Sequence, residues 1–294
     1  MPDLKQSFVV DADSHFSEPE DFFTSVAPAK YKDQVPHVEL VDGQRMWVFD
    51  GQPMGRYSAG GVIGRDGSKE EAQKALFEWE HEMIHVGAYD PKVRIGVLDE
   101  CGIDHQVIFP NTIGLGGQDI GLGTDDTLRH LTLEIYNDQM AKMQEESGNR
   151  LLPMPVMPAW DVASCVREAE RVAAMGMRGV NMTSDPQDLG APDLASREWD
   201  PFWEACASLQ LPVHFHIGAS VTGMNFYGKY FWESHPDNVK LAIGGTLLFI
   251  GNSRVVVNTI LSRVFDRHPD LKLVSVESGI GWIPFILETL DYEM

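Results

Sequence analysis

The stretch Leu211–Gly218, with the sequence Leu-Pro-Val-His-Phe-His-Ile-Gly, predicts a short strand that is buried on both faces. Alternate residues of a strand point to the same side, so His214 and His216 share a face about 7 Å apart, too far for one metal ion to bind both. Since His216 lies nearer the carboxyl end and the glycine loop, it is the better candidate ligand. His214 lies deeper and is expected to be a hydrogen-bonded core histidine that supports the site, and it is kept as a candidate substrate contact.

Five further apolar runs have the length and composition of buried strands, and helical patterns lie between them. Acidic residues begin the longest helical pattern, and Pro201 lies at the start of another. This βαβ succession predicts a parallel sheet, open or closed, and a β/α barrel of about 250 residues would fit the 294-residue chain, residues 1–294, as a single domain. The strands are predicted at 8–13, 105–109, 150–156, 178–182 and 271–277, and the helices at 125–146, 161–175 and 200–209.

Residues 31–67 interrupt this alternation. Val38–Val41 and Gln44–Phe49 flank Asp42-Gly43, which is a strong signal for a two-residue hairpin turn. We interpret the segment as an insertion after the first strand that covers the mouth of the fold or forms an oligomer contact.

Two further strand ends carry groups that bind metal ions. Asp11, Asp13 and His15 share a face by strand alternation, and the last two lie where the strand gives way to a loop. Taken alone, a hydrogen-bonded pair of Asp13 and His15 explains this pattern equally well. Glu277 is the last inward position before a glycine turn, where a carboxylate is costly to bury unless it is paired, protonated or metal-bound. Together with His216, these strand ends predict a metal site.

Charge and composition exclude several partners. The 44 acidic and 23 basic residues leave a net charge of −21, which disfavours nucleic acid and anionic membranes as partners. The N-terminus lacks the features of a signal peptide, and no apolar run approaches the roughly 20 residues of a membrane span. The cysteines, Cys101, Cys165 and Cys206, have no CxxC spacing, which is typical of reduced thiols in a cytoplasmic protein.

A second motif competes for the metal. His81-Glu82-Met83-Ile84-His85 matches the zinc-peptidase pattern His-Glu-x-x-His, and we predict a helix over residues 68–86 around it. The helix is highly charged near the motif, and the longer pattern with glycine and a third histidine is absent. A solvated helix face explains the motif better, and a zinc peptidase is kept as an alternative.

Three segments of the sequence form a family pattern: 11–15 with Glu18-Pro19, 211–213 leading to His216, and 265–272 running into 277–282. In these motifs the sequence resembles the amidohydrolase-related family that includes aminocarboxymuconate-semialdehyde decarboxylase and the resorcylate-type decarboxylases. This resemblance implies a distorted (β/α)₈ barrel with a divalent metal ion, zinc first, with manganese or iron as alternatives. It carries ligand roles onto Asp13, His15 and His216.

The chain departs from the family pattern at particular positions. Asp13 stands where many relatives have histidine, and Glu277 stands where the decarboxylases have one. Glu277 is therefore expected to be an additional metal ligand or a general base. Because the sequence ends at Met294, after the helix that follows the sixth strand, we expect a fragment that lacks the last two strands and the aspartate of strand eight.

The loss of the histidine favours a metal-dependent hydrolase that uses a metal-activated water on a small aromatic or acyl substrate. Non-oxidative decarboxylation of an aromatic or enoic acid is the alternative, and a non-catalytic barrel is the third hypothesis. Glu277 and His216 are the candidate catalytic residues, and Asn111 is expected to donate a hydrogen bond to the substrate. The resemblance is compatible with a homodimer. An apolar wall for the substrate is predicted from Phe226, Tyr227, Tyr230, Phe231 and Trp232.

Overall fold

A computed structural model describes residues 7–70, 78–224 and 232–294. The chain forms two compact units. The first comprises Met1–Gly114, Leu122–Pro155 and Met175–Met177, and the second comprises Leu115–Gly121, Val156–Ala174 and Arg178–Met294.

The described residues contain nine strands and nine α-helices. The strands are β1 (Val10–His15), β2 (His37–Val41), β3 (Gln44–Phe49), β4 (Gln52–Arg56), β5 (His105–Phe109), β6 (Leu151–Pro153), β7 (Val180–Asn181), β8 (Val213–His216) and β9 (Leu273–Val276). The α-helices are α1 (Pro91–Cys101), α2 (Gln118–Gly121), α3 (Asp126–Glu146), α4 (Val162–Ala174), α5 (Asp200–Ser208), α6 (Asp237–Gly251), α7 (Ser253–Leu261), α8 (Val264–Arg267) and α9 (Ile283–Glu293). Short 3₁₀ turns cover Ala29–Tyr31, Val86–Ala88, Pro186–Leu189 and Arg197–Trp199.

The first unit contains a parallel sheet in the order β1-β5-β6. The predicted strand at 105–109 is confirmed as β5, and its Ile108 and Phe109 are fully buried. The first strand lies two residues later than predicted, at Val10–His15, and its register with β5 shifts between Asp11 and Ser14. Parallel strands present their carboxyl ends at one edge, so His15 and the residues after Phe109 lie at the same edge of this sheet.

The predicted hairpin is confirmed as the antiparallel pair β2-β3 in the first unit. Asp42 and Gly43 have φ angles of 50° and 78°, as a type I′ turn requires. Asp50 and Gly51 repeat this geometry with φ angles of 51° and 70°, and they add β4 as a third strand. The sequence therefore carried the same Asp-Gly signal for this second turn, which was not predicted.

The helix boundaries follow their capping residues. The Asp125 side chain accepts a hydrogen bond from the Leu128 amide at the start of α3, where the sequence predicts the helix to begin. Helix α1 was not predicted, although Asp90 caps it, Pro91 is its first residue and Gly102 ends it with a φ of 69°.

The second unit contains a parallel sheet in the order β7-β8-β9. All three strands were predicted, with longer bounds. Helix α5 packs against α4, and the aromatic side chains of Trp199, Phe202 and Trp203 are fully buried. His216 is the last residue of β8, and its strand partner on β9 is Val276, the residue before Glu277. The two candidate residues therefore lie at the same edge of the sheet.

Helices α6 and α7 of the second unit follow each other closely and form a long apolar stretch. Among the described residues, Asn238–Leu261 is one helical stretch, 24 residues long, that could cross a membrane by length and composition. Core helices of soluble proteins pass the same test, so this is weak evidence for a membrane span. The sequence did not predict this stretch, because Asn252 and several glycines interrupt its apolar run.

Candidate functional site

Asp13 and His15 lie together at the carboxyl end of β1 in the first unit. The His15 Nδ1 atom is 3.2 Å from the Pro110 carbonyl oxygen. A carbonyl can only accept, so Nδ1 carries the proton and donates to it, and Nε2 carries the lone pair. Nε2 lies 3.9 Å from the Asp13 Oδ1 atom. This unit thus presents an imidazole nitrogen lone pair beside a carboxylate oxygen.

Asp11 does not share the face of Asp13 and His15, contrary to the prediction. The register shift between Asp11 and Ser14 inserts one extra residue into β1, which reverses the alternation of side chains. The Asp11 Oδ2 atom instead accepts a hydrogen bond of 2.7 Å from Gln106 Nε2. Asp11 therefore belongs to the support of the strand.

Arg94 of α1 supports the end of β1 through hydrogen bonds to backbone carbonyls. It is 9% exposed, and its guanidinium donates to the carbonyl of His15 at 2.6 Å and to that of Gly87 at 2.7 Å. Nη1 donates to Gln106 Oε1 at 3.2 Å, which links Arg94 to the Asp11 carboxylate. Burial lowers the pKa of Arg94 to about 10, so it stays charged at neutral pH. Arg94 was not predicted from the sequence as part of the site, because arginines in helices are usually exposed.

Glu18 is fully buried three residues beyond His15. Its carboxylate accepts from the backbone amides of Asn111 and Thr112, each at 3.1 Å, and from the Thr112 hydroxyl at 2.8 Å. Burial raises the pKa of Glu18, and these hydrogen bonds oppose the shift. Asn111, the candidate substrate donor, lies at the end of β5, with its side-chain amide against Gly60. Its role toward a substrate stays a prediction.

His216 and Glu277 lie together in the second unit. His216 is buried, and its Nδ1–H donates to the Ile217 carbonyl at 2.8 Å. The lone pair is therefore on Nε2, which is 3.5 Å from Glu277 Oε2. Glu277 has a φ of 54°, a left-handed conformation that is strained for a residue with a side chain. Its side chain is 41% exposed, so the carboxylate has access to solvent.

Asn252, at the start of α7, holds the ends of β8 and β9. Its side-chain amide is buried and donates to the Phe215 carbonyl at 2.7 Å and to Ser275 Oγ at 3.1 Å. Each acceptor lies within two residues of a candidate site residue, His216 or Glu277. Asn252 was not identified from the sequence, since an asparagine between two helices is an ordinary breaker.

His214 is a buried core histidine, as its depth on the strand predicted. Its Nδ1 donates to the Val180 carbonyl at 3.1 Å, and burial lowers its pKa. Trp232 is exposed, and its predicted substrate contact stays a prediction. The other members of the predicted aromatic wall, Phe226, Tyr227, Tyr230 and Phe231, lie outside the described residues.

The predicted helix around the His-Glu-x-x-His motif is wrong over the motif itself. His81 lies in a turn, Ile84 forms an isolated bridge with Gly64, and His85 precedes a 3₁₀ turn. Residues 71–77 of the predicted helix lie outside the described residues. Without helical spacing the two imidazoles do not share a helix face, which removes the geometric basis for a zinc peptidase.

His81 is expected to make the stability of the first unit depend on pH. Its ring stacks on Tyr57 at 5.0 Å and contacts Tyr89 edge-on, and burial lowers its pKa, although Glu82 and the Ser17 carbonyl oppose the shift. Because the unfolded chain binds a proton near pH 6.5 and the folded chain binds it at lower pH, we expect the free energy of unfolding to fall as pH drops below about 6.5.

Urea unfolding between pH 7.5 and 5.0 would measure this loss, which is at most about 1.4 kcal/mol per pH unit for one group. His81→Gln keeps a donor for the Ser17 carbonyl and does not titrate, so its pH dependence should be shallower than that of the parent. Equal slopes in the two proteins would exclude His81 as the source.

The two strand-end pairs have the donor chemistry of a metal site. Both histidines have their Nδ1 hydrogen bonded to a backbone carbonyl, and this arrangement orients Nε2 toward an ion in metalloproteins. Imidazole nitrogen and carboxylate oxygen together suit zinc and manganese. In each unit the residues present therefore fit a divalent ion.

Solved structures of known proteins share this fold. An amidohydrolase from Mycobacterium avium subsp. paratuberculosis K-10 matches with a TM-score of 0.73 and 22% sequence identity, over 98% of this chain and 76% of that chain. A 5-carboxyvanillate decarboxylase from Novosphingobium aromaticivorans DSM 12444, solved with manganese, matches with a TM-score of 0.62 and 17% identity, over 98% and 70%. A 2,6-dihydroxybenzoate decarboxylase from Rhizobium matches with a TM-score of 0.52 and 16% identity, over 97% and 70%. At these identities the likeness shows the fold.

The sequence itself matches a family model. Residues 11–294 match the family described as Amidohydrolase, which confirms the resemblance seen in the strand-end motifs. Its members are enzymes, they bind divalent metal ions, and membership implies a β/α-barrel type of fold. The chain therefore belongs to the amidohydrolase family.

Proposed function

We propose that the protein is a metal-dependent carboxy-lyase that removes CO₂ from an aromatic or enoic acid without an oxidant. The observation that supports it most is the pair of His216 and Glu277, 3.5 Å apart at the carboxyl ends of β8 and β9. The solved structures that are similar to this chain include 5-carboxyvanillate and 2,6-dihydroxybenzoate decarboxylases, and this favours decarboxylation over the hydrolysis first expected.

Asp13, His15 and His216 are proposed to hold one divalent ion, zinc or manganese. The ion would polarise a substrate oxygen and offset its negative charge. His15 and His216 would bind through Nε2, because a backbone carbonyl engages Nδ1 in both. We further propose that the parallel strands of this chain belong to a distorted (β/α)₈ barrel, which brings strand ends together at one rim.

Glu277 is proposed to move the proton. Decarboxylation breaks the bond between the ring or vinyl carbon and the carboxylate, leaves the electron pair on that carbon, and requires one proton there. Glu277 is half-exposed beside His216, so it can take a proton from solvent and deliver it to the carbon. Its strained backbone is consistent with a residue held in place for chemistry.

Hydrolysis of a carbonyl compound is the second candidate, and one observation favours it. A carboxylate stands where the related decarboxylases have a histidine, and a carboxylate can serve as the base for an attacking water. In that reaction Glu277 would accept a proton from water and return it to the leaving group.

The test is a substrate screen with the Mn²⁺- or Zn²⁺-loaded protein. One panel holds hydroxybenzoic and enoic acids, the other lactones, amides and esters, and the assay follows CO₂ release and product formation. We expect CO₂ in equal amount to the decarboxylated product, and kcat lower by at least about 100-fold in Glu277→Gln with metal content retained. Metal-dependent hydrolysis without CO₂ would overturn the carboxy-lyase assignment, and loss of the ion in Glu277→Gln would make Glu277 a ligand instead.

A further inference from the structure

The peptide between Pro110 and Asn111 joins Glu18 to His15. Its carbonyl oxygen, on Pro110, accepts from His15 Nδ1 at 3.2 Å, and its amide, on Asn111, donates to Glu18 Oε1 at 3.1 Å. A peptide unit is planar and trans, so its N–H and C=O point in opposite directions. Glu18 therefore fixes the orientation of the same planar group that fixes the His15 ring.

The connection is electrical as well as geometric. A carboxylate that accepts from an amide polarises that amide, and hydrogen bonds in a chain strengthen one another. The Pro110 carbonyl thereby becomes a stronger acceptor for the His15 Nδ1–H, and Nε2 becomes a better electron donor. In metal sites a carboxylate behind a histidine usually acts through a direct hydrogen bond. Here the carboxylate would act through one peptide unit.

The other oxygen of Glu18 makes the arrangement rigid. Oε2 accepts from the Thr112 amide at 3.1 Å and from the Thr112 hydroxyl at 2.8 Å, so the carboxylate cannot rotate away from the Asn111 amide. Glu18 is 1% exposed, so bulk solvent does not compete for these hydrogen bonds.

We propose that Glu18 is a positioning residue that, through the Pro110–Asn111 peptide, sets the ring orientation and the basicity of His15. The inference rests on the proposed role of His15 as a metal ligand, and it deepens that role. In this role Glu18 acts through the peptide and needs no contact of its own with the ion or the substrate.

Glu18→Gln tests the proposal with little change in shape. Its amide oxygen can still accept one hydrogen bond, but the negative charge is lost and its NH₂ group faces a donor. We expect the Kd for Mn²⁺ to rise about 10- to 100-fold, as for other groups behind metal-binding histidines. In the metal-free protein at pH 8.5, ¹⁵N NMR should show the His15 Nδ1–H signal shifted or mixed with the other tautomer.

Further variants separate positioning from stability. Asp21→Asn removes the same charge from an exposed position three residues away and should leave both readouts unchanged. Thr112→Val removes one donor to Glu18 and should show a smaller effect, and Thr112→Ser should restore the parent values. If Glu18→Gln is too unstable to study, the Thr112 pair tests the same chain of hydrogen bonds.

A folded Glu18→Gln protein with a parent-like Kd and an unchanged His15 signal would overturn the proposal. So would an equal effect of Asp21→Asn, which would indicate long-range electrostatics. The NMR arm needs no metal, so a parent protein that binds no Mn²⁺ would refute the proposed function while the His15 signal still decides the role of Glu18.

Discussion

Replacing His216 with alanine is expected to remove the bound metal ion and the enzymatic turnover together. Its Nδ1–H donates to the Ile217 carbonyl and its Nε2 faces Glu277, so the orientation of the imidazole ring at the end of β8 is fixed. A removed ligand should weaken binding more than a removed supporting group does, so we expect a loss above about 100-fold. Elemental mass spectrometry after dialysis measures the metal content, and CO₂ release measures the turnover.

Two control variants make this result specific to the His216 side chain. His216→Gln keeps most of the buried volume, so loss of metal in that variant cannot be assigned to a cavity. His235→Ala removes an exposed histidine of the same unit and should retain metal and activity. Stoichiometric metal in folded His216→Ala would exclude His216 as a ligand and refute the proposed ligand set.

Local signals predicted most of the fold. The strand at 105–109 is bounded by Pro110, and Asp42-Gly43 specifies its turn through positive φ angles, so both could be located from neighbouring residues alone. The helix predicted over residues 68–86 failed at His81 because charge and spacing can imitate a helical pattern where tertiary contacts with Tyr57 and Tyr89 decide the conformation.

The candidate site was predictable only in the groups at its strand ends. His216 and Glu277 were found because strand ends of a parallel sheet converge, and β8 and β9 do place them 3.5 Å apart. The residues that support the site residues from neighbouring elements were not predicted. Arg94 reaches the His15 carbonyl across 79 positions of sequence, and the extra residue in β1 that turns Asp11 toward Gln106 leaves no signal in local composition.

Arg94→Met should be the most destabilising single substitution proposed for the first unit. The change leaves the carbonyls of His15 and Gly87 without their charged donor. It also removes the hydrogen bond from Arg94 to Gln106, and with it the positive charge that Gln106 links to the Asp11 carboxylate. Hydrogen bonds to charged groups contribute about 1.5–3 kcal/mol each, and breaking a buried charged cluster costs about 3–5 kcal/mol. We therefore expect the free energy of unfolding to fall by about 3 kcal/mol or more in urea titrations.

Lys92→Met is the matched control, because it removes an exposed positive charge two residues earlier on the same helix and should change stability by less than about 0.5 kcal/mol. Arg94→Lys retains the charge but not the planar fork, so it should lie between the two. Since the His15 carbonyl is one of the acceptors, metal affinity should fall with stability in this series. A parent-like unfolding midpoint for Arg94→Met would show that the end of β1 is held by its strand pairing with β5 and not by this arginine.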